Sequence, residues 1–207
     1  LGSLKRRNWE IVKGCEQLTE GCESCPSFAH YKKHGLDYTA TPHLKNLGVP
    51  AEDQFTKIYT VALGSDLFHE AVSIPVLKLI FDEMNRARHH CFEITTKRIE
   101  RAYCVSKELK WSENIWLGAS VESGEYTWRI DYLKKIPANY KIISACPILG
   151  AFPKNMDLSG INQFSVVEET WGLKRPIKQK WIDDIERQCK VQEVDFTMTG
   201  FSLWRAN

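Results

Sequence analysis

The chain has 207 residues, 43% of them hydrophobic and 26% charged, with a formal net charge of +2. That composition excludes a disordered, fibrous or repetitive protein and fits one domain with a sizeable core, and so small a net charge neither demands a polyanionic partner nor forbids one. No apolar run approaches the roughly 20 residues of a membrane span and no charged-then-apolar signal segment opens the chain, so no membrane association and a cytoplasmic location are expected.

Leu1, Gly2 and Ser3 read as an expression scar, which leaves 4–207 as a single domain. A first strand is expected over 9–13. It runs directly into Cys15, Cys22 and Cys25, with a helix after Cys25. Residues 35–55, with two prolines and two glycines, form a long excursion of the kind that often lies over active sites. Further runs rich in β-branched residues follow at 58–63, 91–95, 115–119, 141–145, 164–167 and 194–198, and their continuous apolar character suits strands buried on both faces.

Helical patterns separate these strands. Ser73 is a candidate N-cap with Pro75 in the first turn, followed by an apolar stripe of Leu77, Ile80, Phe81 and Met84. A weaker helix starts near Lys97 and passes through Ile99, Ala102 and Tyr103. Tyr126, Ile130 and Leu133 make another stripe, and Ile177, Trp181, Ile185 and Cys189 a last one. Strands alternating with helices indicate parallel βαβ units with right-handed crossovers. About seven strands in a chain shorter than the roughly 250 residues of a full eightfold barrel predict a partial (β/α)6-type TIM-like barrel, with an open doubly wound sheet as the alternative.

Each expected strand ends in polar or small residues: Gly64, Ser65 and Asp66; Thr95, Thr96, Lys97 and Arg98; Ser120 and Glu122; Ser144 and Cys146; Glu168, Glu169 and Thr170; Thr199 and Gly200. A ring of this kind at carboxyl ends is how parallel α/β folds build sites. Cys146 ends its strand just before Pro147, where a thiol either passes a hydrogen atom or packs. Basic clusters at Lys97, Arg98 and Arg101, and around Lys174 and Arg175, are either solvated faces or phosphate contacts.

The most specific signal is the cysteine spacing. Seven cysteines without a secretory signal argue for reduced thiols rather than a disulfide framework. Three of them follow the first strand as C-x6-C-x2-C, with Gly14 and Gly21 beside them to allow a tight wrap. Three thiolates leave one iron of a four-iron cluster without a protein ligand and open to a substrate. The competing reading is a Cys3His zinc site completed by His30 or His34, giving a nucleic-acid or protein-binding module without catalysis. Cys91, Cys104 and Cys189 are expected to act as small hydrophobes.

The Gly14-Cys15 to Cys25 opening, the run Ser65-Asp66-Leu67-Phe68-His69-Glu70, the strand end Thr96-Lys97-Arg98, the run from Trp116 to Glu122 and the Ser144–Gly150 segment together resemble the phage-encoded three-cysteine radical S-adenosylmethionine-like family. The resemblance spans about Trp9 to Gly200. It implies a radical-SAM-like partial barrel, a 4Fe-4S cluster on Cys15, Cys22 and Cys25, bound S-adenosylmethionine, an external electron donor and hydrogen abstraction, in an isomerase or lyase expressed in the phage's host.

By position, Ser65 and Asp66 are then expected to hold the methionine amino group, Ser120 and Glu122 the ribose or carboxylate, and Thr95 and Thr96 to border the cosubstrate. Cys146 and Glu168 become candidate catalytic residues. A modified thymine in phage DNA is the suggested substrate, flipped or single-stranded to reach the cluster, with Lys97, Arg98 and Arg101 gripping phosphates. The chain departs from the common radical-enzyme pattern in its six-residue first gap, which the family shares, in Ser144-Ala145-Cys146-Pro147 where relatives commonly show Ser-Ala-Glu-Pro, and in Glu168-Glu169-Thr170 where they often have Gly-Gly-Glu.

Overall fold

The β-branched runs become strands, and the strands pair in the order in which they occur. A computed structural model describes residues 4–199; Leu1 to Ser3 at one end and Gly200 at the other lie outside the described residues. The strands are β1 (Arg6–Trp9), β2 (Val12–Lys13), β3 (Thr41–Pro42), β4 (Ile58–Val61), β5 (Cys91–Thr96), β6 (Ile115–Ser120), β7 (Tyr140–Ala145), β8 (Gln163–Val167) and β9 (Asp195–Thr199). The helices are α1 (Pro26–Lys33), α2 (Val49–Glu52), α3 (Ile74–Arg86), α4 (Ile99–Val105), α5 (Trp128–Lys135) and α6 (Gln179–Val191).

Seven strands form one parallel sheet in the order β1-β4-β5-β6-β7-β8-β9, curled into a half-barrel. A doubly wound sheet reverses its strand order at a switch point. This sheet never reverses, which removes that alternative.

The single strand expected over 9–13 is two strands. The chain turns at Ile11, whose N–H donates to the Trp9 carbonyl at 3.0 Å, and β2 leaves the main sheet to pair antiparallel with β3. The excursion over 35–55 is thereby anchored as a flap beside the cysteines. One crossover also departs from the βα pattern: no helix is described between β7 and β8. There Phe152, Met156 and Leu158 bury themselves directly, and the Gln188 and Gln192 side chains of α6 and its C-cap accept from the Met156 and Leu158 N–H groups at 2.8 and 2.9 Å.

Helix α3 starts where expected, with Ser73 as N-cap and Leu77, Ile80, Phe81 and Met84 in the core. The convex face of the sheet packs on this layer through Tyr59, Val61, Phe92, Ile94, Leu117, Ala119, Ile143, Ala145, Phe164 and Val166. The concave face differs from the expectation of burial on both sides. Residues of β5 and β8 alternate between half-buried and buried, because alternate side chains point into an open trough instead of a second apolar layer. Asn8, Thr60 and Glu93 share one register row on that face, and Ser120, Ser144 and Ser165 another.

Candidate functional site

A cavity of about 310 Å³ lies at the carboxyl ends of the strands. Cys15, Cys22 and Cys25 form one lip, and the other boundaries include Thr95, Ser120, Ser144, Cys146, Ser165 and Glu168. The strand-end ring and the cysteine cluster, separate features in the sequence, thus border the same space.

Backbone geometry explains the lip. Gly14 has φ +71°, and a Cβ there would lie 2.3 Å from the Thr39 carbonyl oxygen and 2.4 Å from that of Tyr38. Only glycine lets the chain pass so close, and the next N–H, of Cys15, donates to the Tyr38 carbonyl at 2.9 Å. The loop then turns through a short 3-10 helix, Glu20–Cys22, and Cys25 caps α1 with Pro26 in the first turn. Tyr38 reaches back from the flap, its hydroxyl 3.8 Å from Cys25 Sγ and 3.4 Å from the Gly64 carbonyl. Burial and the neighbouring Cys25 hold the Tyr38 phenol well above its ordinary value.

The three thiols sit in different fields. Burial, and then the Asp66 carboxylate, raise Cys15, against the Arg98 guanidinium 3.8 Å away. Burial also acts to raise Cys22, but the Lys97 ammonium at 3.2 Å and the Leu18 N–H at 3.4 Å outweigh it, so its pKa is lowered. Cys22 is therefore the thiol predisposed to the ligating, thiolate form.

Beneath the lip lies a buried polar layer. Lys97 pairs with Glu122, whose side chain is fully buried, and donates to Thr19 Oγ1 at 2.7 Å; Thr19 in turn donates to Glu122 at 3.0 Å. Gly21 passes over this carboxylate so closely that a Cβ would fall 2.0 Å from Glu122 Oε1. Glu122 Oε2 is buried without a hydrogen-bond partner among the described residues. Asp66 accepts from Thr96 Oγ1 at 2.7 Å, the Phe68 N–H at 3.0 Å and the Lys97 N–H at 3.1 Å, and faces Arg98 at 3.5 Å.

Several sequence expectations change accordingly. Asp66, Thr96 and Glu122, expected beside the cosubstrate, are all engaged within the protein, with Asp66 still bordering the cavity and Glu122 Oε2 left without a partner among the described residues. Ser65 borders the cavity, but its hydroxyl donates to the Val12 carbonyl at 2.8 Å. Thr95 and Ser120 do present hydroxyls to the cavity. Cys146 borders it too, its thiol pushed up to about 11 by burial, and Glu168 borders it as an exposed carboxylate.

Lys97, Arg98 and Arg101, expected as phosphate contacts, are each engaged by partners within the protein, and Lys97 and Arg98 line the cavity. Lys97 is in the layer just described. Arg98 bonds Glu70 at 2.8 Å and Glu16 at 3.3 Å, and Arg101 donates to the carbonyls of Phe68, His69 and Val72 at 2.7 to 2.9 Å. Cys189 is buried as expected and Cys91 half-buried, whereas Cys104 is exposed.

The sequence offered little sign of the clamp after β8. Arg175 pairs with Glu169, its Nε donating to Glu169 Oε2 at 2.9 Å, and also donates to the Glu20 carbonyl at 3.0 Å. The Leu173 N–H donates to Ser24 Oγ at 3.0 Å. Gly172, at φ +63°, is the local signal: a Cβ would meet Ser24 Oγ at 2.5 Å.

Among the described residues, one group of His, Cys, Asp or Glu has all its ligand atoms within 4.8 Å of one another, namely Glu16, His69 and Glu70. Arg98 bonds both of its carboxylates, placing a guanidinium where a metal cation would otherwise go.

Fold and site define a class: a parallel α/β half-barrel with a three-cysteine lip over the carboxyl ends of its strands. The chain belongs to the family described as a protein of unknown function (DUF5131), which matches residues 4–207. No curated protein and no solved structure matches it. No helix among the described residues is long and apolar enough to cross a membrane.

Proposed function

We propose that this protein is a radical S-adenosylmethionine enzyme, with Cys15, Cys22 and Cys25 as the three ligands of a 4Fe-4S cluster. The observation that supports it is the placing of these three thiols on one lip of one cavity, at the carboxyl ends of the parallel strands, with sulfurs too spread to count as a mononuclear group. Tetrahedral zinc, with Zn–S near 2.3 Å, draws its sulfurs to about 3.8 Å of one another. His30 and His34, the candidates for a fourth zinc ligand, are exposed on and just after α1, with ring centroids 4.6 Å apart. The zinc module is the less well supported reading.

When bound, such a cluster supplies the electron that opens S-adenosylmethionine to a hydrogen-abstracting 5'-deoxyadenosyl radical. The chain's own residues do the rest. Lys97 and the Leu18 N–H offset negative charge at the Cys22 sulfur. Thr95 and Ser120 offer hydroxyls to a polar cosubstrate, and the Glu168 carboxylate faces a space suited to a cationic one. Cys146 keeps its proton at neutral pH and presents an S–H group to the same cavity. The overlying clamp and flap restrict water.

The test is purification without oxygen, followed by iron and sulfide analysis and reduction in the presence of S-adenosylmethionine. About four irons and four sulfides per chain are expected, with 5'-deoxyadenosine as product and loss of the cluster on Cys15→Ala, Cys22→Ala or Cys25→Ala. A colourless, zinc-loaded protein, or an intact reducible cluster that does not bind S-adenosylmethionine, would overturn the proposal.

A further inference from the structure

The trough below the cluster lip is lined by hydroxyls. Thr60, Thr95, Ser120, Ser144 and Ser165 all face the cavity from successive parallel strands, and none of their side chains hydrogen-bonds another described residue. Thr60 and Ser120 are buried as residues, with their hydroxyls open to the cavity alone. The interior of a closed eightfold barrel is filled by branched apolar side chains; five unpartnered hydroxyls in its place have no packing rationale. Each brings one donor and two acceptor positions, which a guest must satisfy or water must.

Charge narrows the guest further. Among the described residues three cations line the cavity, and each is already paired: Arg6 with Glu93 at 2.8 Å, Lys97 with Glu122, and Arg98 with Asp66 and Glu70. Of the lining carboxylates, Glu168 alone has no ion pair or hydrogen bond to another described residue. Among the described residues an incoming phosphate or sulfate finds no free cation and meets one free anion.

We propose that the group which reacts in this trough, against the Thr60, Ser144 and Ser165 hydroxyls that the cosubstrate leaves free, carries several hydrogen-bonding positions, as the amide edge of a nucleobase or the hydroxyls of a sugar do, and is not an anion. The inference rests on the reading of this cavity as the reactive site. At about 310 Å³ the space has the size of a small-molecule pocket.

The test is calorimetric titration of the full chain with thymidine, methyl glucoside and thymidine 5'-phosphate. One of the neutral probes is expected to bind, and which one does separates base from sugar. Thymidine 5'-phosphate is expected to bind about tenfold more weakly than thymidine, or not at all. The double variant Thr60→Val/Ser144→Ala removes two hydroxyls at nearly constant volume and should weaken the neutral probe about tenfold with an unchanged melting curve. Glu168→Lys should instead improve binding of the phosphate probe by about tenfold, a gain that misfolding does not mimic.

Tightest binding of the phosphate probe, no binding of either neutral probe, or unchanged affinities in both variants would overturn the inference. Iron content of the same preparation separates it from the parent proposal. Iron-free protein that binds a neutral probe sinks the radical reading alone, and cluster-loaded protein that prefers the phosphate sinks this one alone.

Discussion

Lys97 Nζ lies 3.2 Å from Cys22 Sγ while pairing with the fully buried carboxylate of Glu122. One ammonium thus serves both a candidate cluster ligand and a charge that has no access to water. Its removal acts on two measurable quantities.

The first is stability. Lys97→Met strands Glu122 in the interior and is expected to cost about 3–5 kcal/mol in chemical denaturation. Adding Glu122→Leu should recover most of that loss, because a buried pair replaced by apolar side chains is often neutral. A double variant as unstable as the sum of its parts would show that the pair is not coupled.

The second is thiol reactivity in cluster-free protein. Cys22 is lowered and Cys15 raised, so at pH 7.5 iodoacetamide should modify Cys22 several-fold faster than Cys15. Cys146, held near 11, should scarcely react. Lys97→Met should erase the advantage of Cys22, as mass spectrometry of timed samples would read directly.

Glycine substitutions separate conformation from contact. Gly14 and Gly160 have nearly the same φ, +71° and +72°, but a Cβ at Gly14 strikes two carbonyls while one at Gly160 meets nothing within 4 Å. Gly160→Ala should cost about 1 kcal/mol, the ordinary penalty of a left-handed residue. Gly14→Ala should cost clearly more and lower iron retention, since the flap must move away from Cys15. Equal melting points for the two variants would refute this account of the lip.

The clamp has a pH signature. Burial acts to raise Glu169, but the bonds from Arg175 outweigh it, so the folded pKa lies below the ordinary 4.5. A depressed carboxylate contributes stability above its unfolded value and loses it as pH falls through the folded one. Arg175→Ala should therefore destabilise by about 2–3 kcal/mol at pH 7, discounted for the partial exposure of Arg175. The difference from wild type should shrink below about pH 4.5, as paired melting curves across pH would show. A gap that is constant with pH would mean that the pair is not what holds the loop.

Local patterning carried much of the architecture. The β-branched runs, the stripe from Leu77 to Met84 and the Ser73 cap each depend on neighbours a few residues away, so they were legible in the chain, as was the grouping of Cys15, Cys22 and Cys25. The break of the first strand at Ile11 was not, because it is enforced by pairing with Thr41 and Pro42, some thirty residues on.

The site divides in the same way. Sequence by itself determined which residue types stand at the strand ends, since each follows an apolar run that has to terminate there. It did not determine which way they face. Lys97 and Arg98 read as surface cations next to their neighbours, yet Glu122, Glu70 and Asp66 reach them from other strands and loops and pair with them. Thr19 meets Glu122 across 103 positions and Leu173 meets Ser24 across 149. Only the curl of the sheet brings such residues together, and burial then makes each of those polar groups seek its partner in the protein instead of in water.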